Sequence, residues 1–220
     1  MCGRYTWHQK HKLPDSINFP LPEPPSSVSY NRAPGQSHPI VLEMKNKVCW
    51  AFAEWGLCLD LTQNSSKIKP INARIESVQE KKFFHTALRY NRCLIPADGY
   101  FEWQQTEDSK YPHYHLKHDE STFFMAGISN IKDKGTSFAI LTHSASQNLS
   151  HIHHRMPVIL KPDDWKRWID KTSDLNCLIS KYLKPQTDLK FYQVHSRVNR
   201  VIENDKNIIN EFCERQSTFL

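Results

Sequence analysis

Cys2 stands directly after Met1, and that placement allows one specific chemistry. Methionine aminopeptidase removes a leading methionine when the next residue is small, and cysteine qualifies. The expected product is a terminal 1,2-aminothiol. Its α-amine has a reference pKa of about 7.7–8.0, so a useful fraction is neutral near pH 7. Its thiol is a strong nucleophile once ionised. Together they can trap an aldehyde: the amine forms a Schiff base, and the adjacent thiol adds to it, closing a thiazolidine ring. Ring closure is intramolecular, so a high effective molarity favours it over hydrolysis of the imine. A cysteine at position two can equally be incidental, and the following Gly3-Arg4 adds a flexible backbone and one phosphate-binding guanidinium.

Other segments carry residue types that such chemistry needs. Tyr30-Asn31-Arg32-Ala33-Pro34-Gly35-Gln36 reads as a loop with a turn at Pro34-Gly35. Asn72-Ala73-Arg74-Ile75-Glu76 precedes a helix signal. Pro96-Ala97-Asp98-Gly99-Tyr100-Phe101-Glu102-Trp103 sets one carboxylate among aromatics, where apolar neighbours would raise its pKa and make it a usable general acid or base. A strand-edge carboxylate paired to a lysine is the plainer reading of Glu102. His151, His153 and His154 crowd one short segment without a carboxylate or cysteine cluster, which supports a metal site poorly. One catalytic imidazole and two incidental ones is the more economical expectation. No metal and no cofactor is expected.

These residues must be positioned by regular elements. Strand patterns cover His38–Met44, Val48–Trp55, Arg92–Ala97, Tyr100–Trp103, Tyr111–Lys117, Thr122–Ser129, Ser137–His143 and Lys190–Val194. Alternation in Tyr111–Lys117 predicts a half-exposed strand. Ser77-Val78-Gln79-Glu80 matches a capping box and predicts a helix from there to about Tyr90. Helices are also predicted at Pro162–Asp170, Leu175–Tyr182 and Lys206–Glu214, and residues 14–36, rich in proline and serine, as an irregular loop. Strands followed by helices without βαβ alternation indicate an α+β fold with a mostly antiparallel, barrel-like β core flanked by helices.

Composition bounds the rest. A chain of 220 residues, 39% hydrophobic and 24% charged, reads as one soluble globular domain over residues 1–220. No run is long enough for a membrane span, and no secretory signal is visible, so a cytoplasmic protein is expected, or a nuclear one if the source is eukaryotic. The six cysteines (2, 49, 58, 93, 177, 213) form no C-x-x-C pair; Cys49, Cys58 and Cys93 sit in apolar runs as buried free thiols would, and Cys2 does not. The net charge of +6 suits a polyanionic partner. Nothing demands more than a monomer.

Taken together, Met1-Cys2-Gly3-Arg4, Asn31-x-Ala33-Pro34-Gly35, Trp55-Gly56, Asn72-Ala73-Arg74-x-Glu76, Pro96 to Trp103 and Ile152-His153-x-Arg155-x-Pro157 make the chain resemble the SRAP family, the SOS-response-associated peptidases understood as abasic-site processing proteins. The resemblance implies binding to single-stranded DNA with an abasic site and a thiazolidine crosslink that shields the lesion from strand cleavage. It implies Cys2 as nucleophile, Asn72 orienting the α-amine or sugar, Glu102 shuttling protons, and His153 assisting at the sugar hydroxyl. It implies Arg4, Arg74 and Arg155 on the backbone phosphates, with Asn31, Pro34, Trp103 and Thr142 in the groove. Two stretches depart from the pattern. Gly56 is followed by Leu57-Cys58-Leu59-Asp60-Leu61 instead of a proline and tryptophan, so a strand-separating wedge must come from elsewhere, such as Leu59 or Pro34. Val194 to Arg200 matches only loosely and receives no role. Two other functions fit the same residues: an N-terminal-nucleophile cysteine hydrolase or peptidase, and a non-catalytic single-strand DNA-binding module using Trp7, Trp50, Trp55 and Trp103.

Overall fold

The computed structural model describes residues 2–8, 21–58, 69–133 and 135–213. In chain order the strands are β1 (Arg4–Trp7), β2 (Ser29–Arg32), β3 (Ser37–Met44), β4 (Lys47–Trp55), β5 (Asn72–Arg74), β6 (Arg92–Ala97), β7 (Gly99–Gln105), β8 (Lys110–Leu116), β9 (Phe123–Lys132), β10 (Gly135–Ser144), β11 (Arg155–Pro157), β12 (Ile159–Leu160) and β13 (Lys190–Gln193). Helices are α1 (Lys82–Tyr90), α2 (Trp165–Ile169) and α3 (Leu175–Lys181), with 3-10 turns at Pro162–Asp164, Ser196–Asn199 and Lys206–Ile209.

The strands form two sheets, one ordered β13-β8-β7-β1-β2. In the other, β3 pairs with β4, β4 with β10, β10 with β9, β9 with β6 and β6 with β3, so five strands close a ring. Every pairing in that ring is antiparallel except β4–β10. Closure removes the exposed edges an open sheet would present. The predicted α+β class and barrel-like core are what the chain forms.

Alternation along these strands sorts their side chains onto two faces. Val41, Leu94, Phe124, Ala126, Ala139 and Leu141 face one way, beneath Phe84 and Leu88 of α1, Trp165 and Trp168 of α2, and Leu178 of α3. Ile40, Leu42, Cys93, Ile95, Met125, Phe138 and Ile140 face the other way, in one cluster with Cys2, Tyr5 and Tyr100 of the second sheet. The α1 residues Phe84, Ala87 and Leu88 follow helical spacing and are its buried ones. Trp168 is fully buried and its indole N–H donates to the carbonyls of Cys93 (3.1 Å) and Gly127 (3.2 Å), tying α2 to the ring.

Several expectations need correction. Ser77–Glu80 is a turn, Glu80 N–H to Ser77 carbonyl, and α1 starts after Lys81 with no side-chain cap; the capping-box pattern marks the turn instead. The segment at 162–170 splits into a 3-10 turn and the short α2, and the C-terminal helix is a 3-10 turn at Lys206–Ile209, with residue 214 outside the described residues. Within the proline-rich stretch, residues 29–32 pair with β1 as β2, while residues 14–20 lie outside the described residues. The strand at 111–117 is buried on both faces, because His115 stacks on Tyr100 while Tyr114 packs on Phe101 and Tyr192. Among the cysteines, Cys2 and Cys93 are fully buried and Cys49 and Cys58 only partly so.

Candidate active site

Two strand pairings bring the chemistry together. β1 runs antiparallel to β7 with Arg4 opposite Phe101 and Tyr5 opposite Tyr100. Carried back along the chain, that register brings Gly3 and Cys2 to the Glu102–Trp103 end of β7. The second organiser is the upper half of β10. It holds β5 parallel on one flank, Ile140 opposite Asn72 and Thr142 opposite Arg74, and β11 antiparallel, Ser144 opposite Arg155. Asn72, Arg155 and the preceding His153 therefore converge on the site occupied by Cys2 and Glu102.

The contacts follow. The Asn72 amide Nδ2 donates to the Cys2 carbonyl at 2.9 Å. Its Oδ1 is buried and accepts no hydrogen bond among the described residues. His153 Nδ1 lies 3.8 Å from Glu102 Oε1. The same Nδ1 lies 3.0 Å from the Arg155 backbone nitrogen and 3.1 Å from the Arg155 carbonyl, so the Arg155 main chain holds the ring in place. Burial holds the His153 pKa below its ordinary value, so the ring is neutral near pH 7.

Glu102 is nearly inaccessible, and burial raises its carboxyl to about 7. Burial also pushes the Cys2 thiol well above the ordinary thiol range, and the charge of Glu102 pushes it further. The two groups cannot both be anionic at low cost, so the thiol keeps its proton where the carboxyl ionises. Tyr100, two residues before Glu102 and on the same face of β7, is likewise buried and holds its proton firmly.

Above Glu102 and His153 opens a cleft of about 640 Å³, walled by Trp103, Lys110, His154 and Asn199. The Trp103 indole donates to Asn199 Oδ1 at 2.7 Å. His154 stacks on His153, ring centroids 4.4 Å apart, whereas His151 turns onto Phe191.

The family model for SOS response associated peptidase (SRAP) matches residues 1–201. The chain belongs to the SRAP family. It is 31% identical to abasic site processing protein YMR114C of Saccharomyces cerevisiae over 86% of this chain and 54% of that protein, so it spans about half the yeast relative's length. It is 29% identical to abasic site processing protein YoqW of Bacillus subtilis, over 95% of this chain and 99% of that one. Among solved structures, a protein from Bacteroides thetaiotaomicron superposes with a TM-score of 0.73 at 26% identity, covering 84% of this chain and 85% of that one.

Within this SRAP fold, not every residue singled out in the sequence faces the cleft. The expectation of an exposed Cys2 thiol fails, because Tyr5, Tyr100 and the ring strands enclose it. The Arg4 guanidinium donates to the carbonyls of Val198 (2.7 Å) and Asn199 (3.3 Å) and to Asn31 Oδ1 (3.2 Å). Asn31 is buried, and its amide donates to the carbonyls of Val198, Arg200 and Glu203. Both therefore hold a strap, residues 198–204, beside the cleft; a phosphate contact is not where their donors point. Arg155 is bidentate to Glu76, at 2.7 and 2.8 Å, and donates to the Thr142 carbonyl at 2.6 Å. Thr142 has no exposed surface, so it supports Arg155 and does not line a groove. Arg74 is exposed and makes no side-chain hydrogen bond among the described residues. Pro34 sits exposed in the expected turn, closed by Gln36 N–H to Ala33 carbonyl with Gly35 at φ 81°. Leu59 lies outside the described residues.

Of the four tryptophans, Trp7 and Trp55 are core residues and Trp50 stacks on Trp7; Trp103 alone among them walls the cleft. Asn199 and Lys110 were not singled out by sequence, and His154 was read as incidental beside His153. Asn199 lies in the loosely matched stretch, and Lys110 and His154 carry no spacing signal. Tyr100 had one: its two-residue offset from Glu102 within a strand.

Proposed function

We propose that, once Met1 is removed, the chain processes abasic sites in single-stranded DNA by forming a thiazolidine crosslink through Cys2. The observation that carries this reading is the convergence of Cys2, Asn72, Glu102 and His153 from four separate parts of the chain beside one open cleft. The α-amine of Cys2 attacks the aldehyde carbon of the ring-opened sugar. Proton transfer to the oxygen, and loss of that oxygen as water, give the imine. The Cys2 sulfur then bonds the imine carbon while its proton moves to the nitrogen, with no net oxidation or reduction.

Glu102, with a carboxyl poised near neutrality, gives its proton to the departing hydroxyl as the imine forms, then takes the thiol proton and passes it to the nitrogen as the ring closes. Neutral His153 assists proton transfer at the sugar oxygen. Asn72 fixes the Cys2 carbonyl, and with it the direction of the amine. An abasic sugar offers no base edge, so phosphate contacts supply most of the affinity.

The test mixes the protein with single-stranded DNA bearing one abasic site and separates the products on a denaturing gel. A covalent band in the wild type, absent in Cys2→Ala and in protein with an extra residue before Cys2, supports the reading. A band that survives in either variant overturns the aminothiol mechanism. Salt-sensitive binding without any band leaves a DNA-binding module, and turnover of amide substrates without a DNA adduct points to a hydrolase.

A further inference from the structure

Resting on that reading of the cleft, we infer that its outer wall is a phosphate subsite built by Lys110 and His154. Of the basic residues nearest the reacting groups, two have their donors spent. Arg4 is consumed by two carbonyls of the strap and by Asn31, and Arg155 by Glu76 and Thr142. A guanidinium turned from such partners toward a phosphate would give up the strap and Thr142 carbonyls and the half-exposed Glu76 carboxylate that now accept from it. The cleft still requires cationic or N–H donors within reach of a strand whose sugar sits on Glu102 and His153.

Lys110 and His154 supply them. Both line the same cleft as Glu102 and His153. Neither side chain makes a hydrogen bond or ion pair among the described residues. Lys110 opens β8 directly opposite Gln105, the last residue of β7, so its Cα is fixed by the sheet at the cleft wall that its exposed side chain lines. His154 is held by its stack on His153 and by its carbonyl, which accepts from Ala145 N–H at 3.0 Å. A phosphate placed between them is one step along the strand from a sugar seated on His153. Rigid backbone supports with solvent-facing donors are what a non-specific backbone contact needs. Trp103 forms the adjoining wall, with its indole N–H already bonded to Asn199, leaving its ring face for the sugar or a neighbouring base.

The test measures binding of single-stranded DNA carrying a tetrahydrofuran abasic analogue, which has no aldehyde, across a series of salt concentrations. Removing one cation from a single strand's phosphates lowers the steepness of log K against log salt by about 0.7. Lys110→Ala is expected to lower it by about that amount, Lys110→Arg to restore it, and His154→Ala to weaken binding with Lys110 intact. Lys47→Ala, at the exposed start of β4 outside the cleft, is the control for net charge. An unchanged slope and affinity in Lys110→Ala, or a loss no larger than that of Lys47→Ala, overturns the subsite. The crosslinking gel keeps the two readings apart. A wild type that binds the analogue through Lys110 yet forms no covalent band retains the subsite and loses the aminothiol chemistry. A wild type with no affinity for the analogue loses both.

Discussion

The side-chain amide of Asn72 donates to the main-chain carbonyl of Cys2 across a gap of seventy positions in the chain, at 2.9 Å. This bond ties Cys2, which precedes β1, to β5 of the other sheet. Asn72→Ala should slow crosslinking about tenfold, a loss of about 1.4 kcal/mol in the barrier, typical of one hydrogen bond. Asn72→Asp should be worse, since it sets an anionic acceptor against a carbonyl. Single-turnover gels give the rates; an unaltered rate in both variants would show that Cys2 is held by other means.

Glu102 is expected to make crosslinking depend on pH in a particular sense. Where ring closure limits the rate, Glu102 works ionised as the thiol's proton acceptor, so the rate should rise with pH and reach half its plateau near pH 7, the value to which burial lifts the carboxyl. Glu102→Gln should remove that inflection and cost about 10²–10⁴ in rate. If the inflection persists in Glu102→Gln, the titrating group is another residue.

The same carboxyl should destabilise the fold at neutral pH. Its folded value of about 7 lies above its ordinary 4.5, so the unfolded chain gives up the proton first as pH rises. Stability present below pH 4.5 is therefore lost between 4.5 and 7, on the order of 3 kcal/mol. Buried His38 acts in the opposite direction. Arg32 donates to its Nδ1 while its Nε2 donates to the Ala33 carbonyl, and burial lowers its pKa from 6.5 to about 4. The unfolded chain binds this proton first as pH falls, so stability present above 6.5 is lost toward 4. Urea unfolding at pH 8 should find Glu102→Gln more stable than wild type, with the two converging at pH 4.5. Equal differences at both pH values would contradict the assignment.

Arg155 and Glu76 make a supporting pair behind the site. Glu76→Ala should destabilise by about 1–3 kcal/mol, the lower part of the range for breaking a buried pair because Glu76 is partly exposed. It should also slow crosslinking, since the Arg155 main chain holds the His153 ring. Glu76→Gln should recover about half the stability. Thermal unfolding combined with the gel assay checks both effects; loss of stability with an unaltered rate would separate Arg155 from His153.

Much of this was legible in sequence, and the reason differs by feature. The ring strands β3, β6, β9 and β10 announced themselves because apolar runs bounded by turns are what a strand buried on both faces needs, and β4 by its apolar run although it is only half-buried. Glu102 was legible from its aromatic neighbours. The short strands β1, β2, β5 and β11 were not, since three or four residues carry no periodicity and exist only through β7 and β10. The roles of Arg4, Asn31 and Arg155 were hidden for a related reason. A sequence shows that a guanidinium is present but not which carbonyls a distant strap will place in front of it. Burial of Cys2 was equally hidden, because the residues that enclose it come from β7 and the far side of the ring.

That enclosure has a consequence for the order of events during synthesis. β1 finds its partner in β7 only after residue 105 has been added, and Arg4 finds the strap only after residue 199. At about 5–20 residues per second, the amino terminus spends on the order of ten seconds outside the ribosome before β7 exists. On the proposed mechanism, trimming of Met1 therefore belongs to the nascent chain. A variant whose first residue escapes removal in that interval would fold its reactive terminus shut, a loss that no later encounter with DNA could reverse.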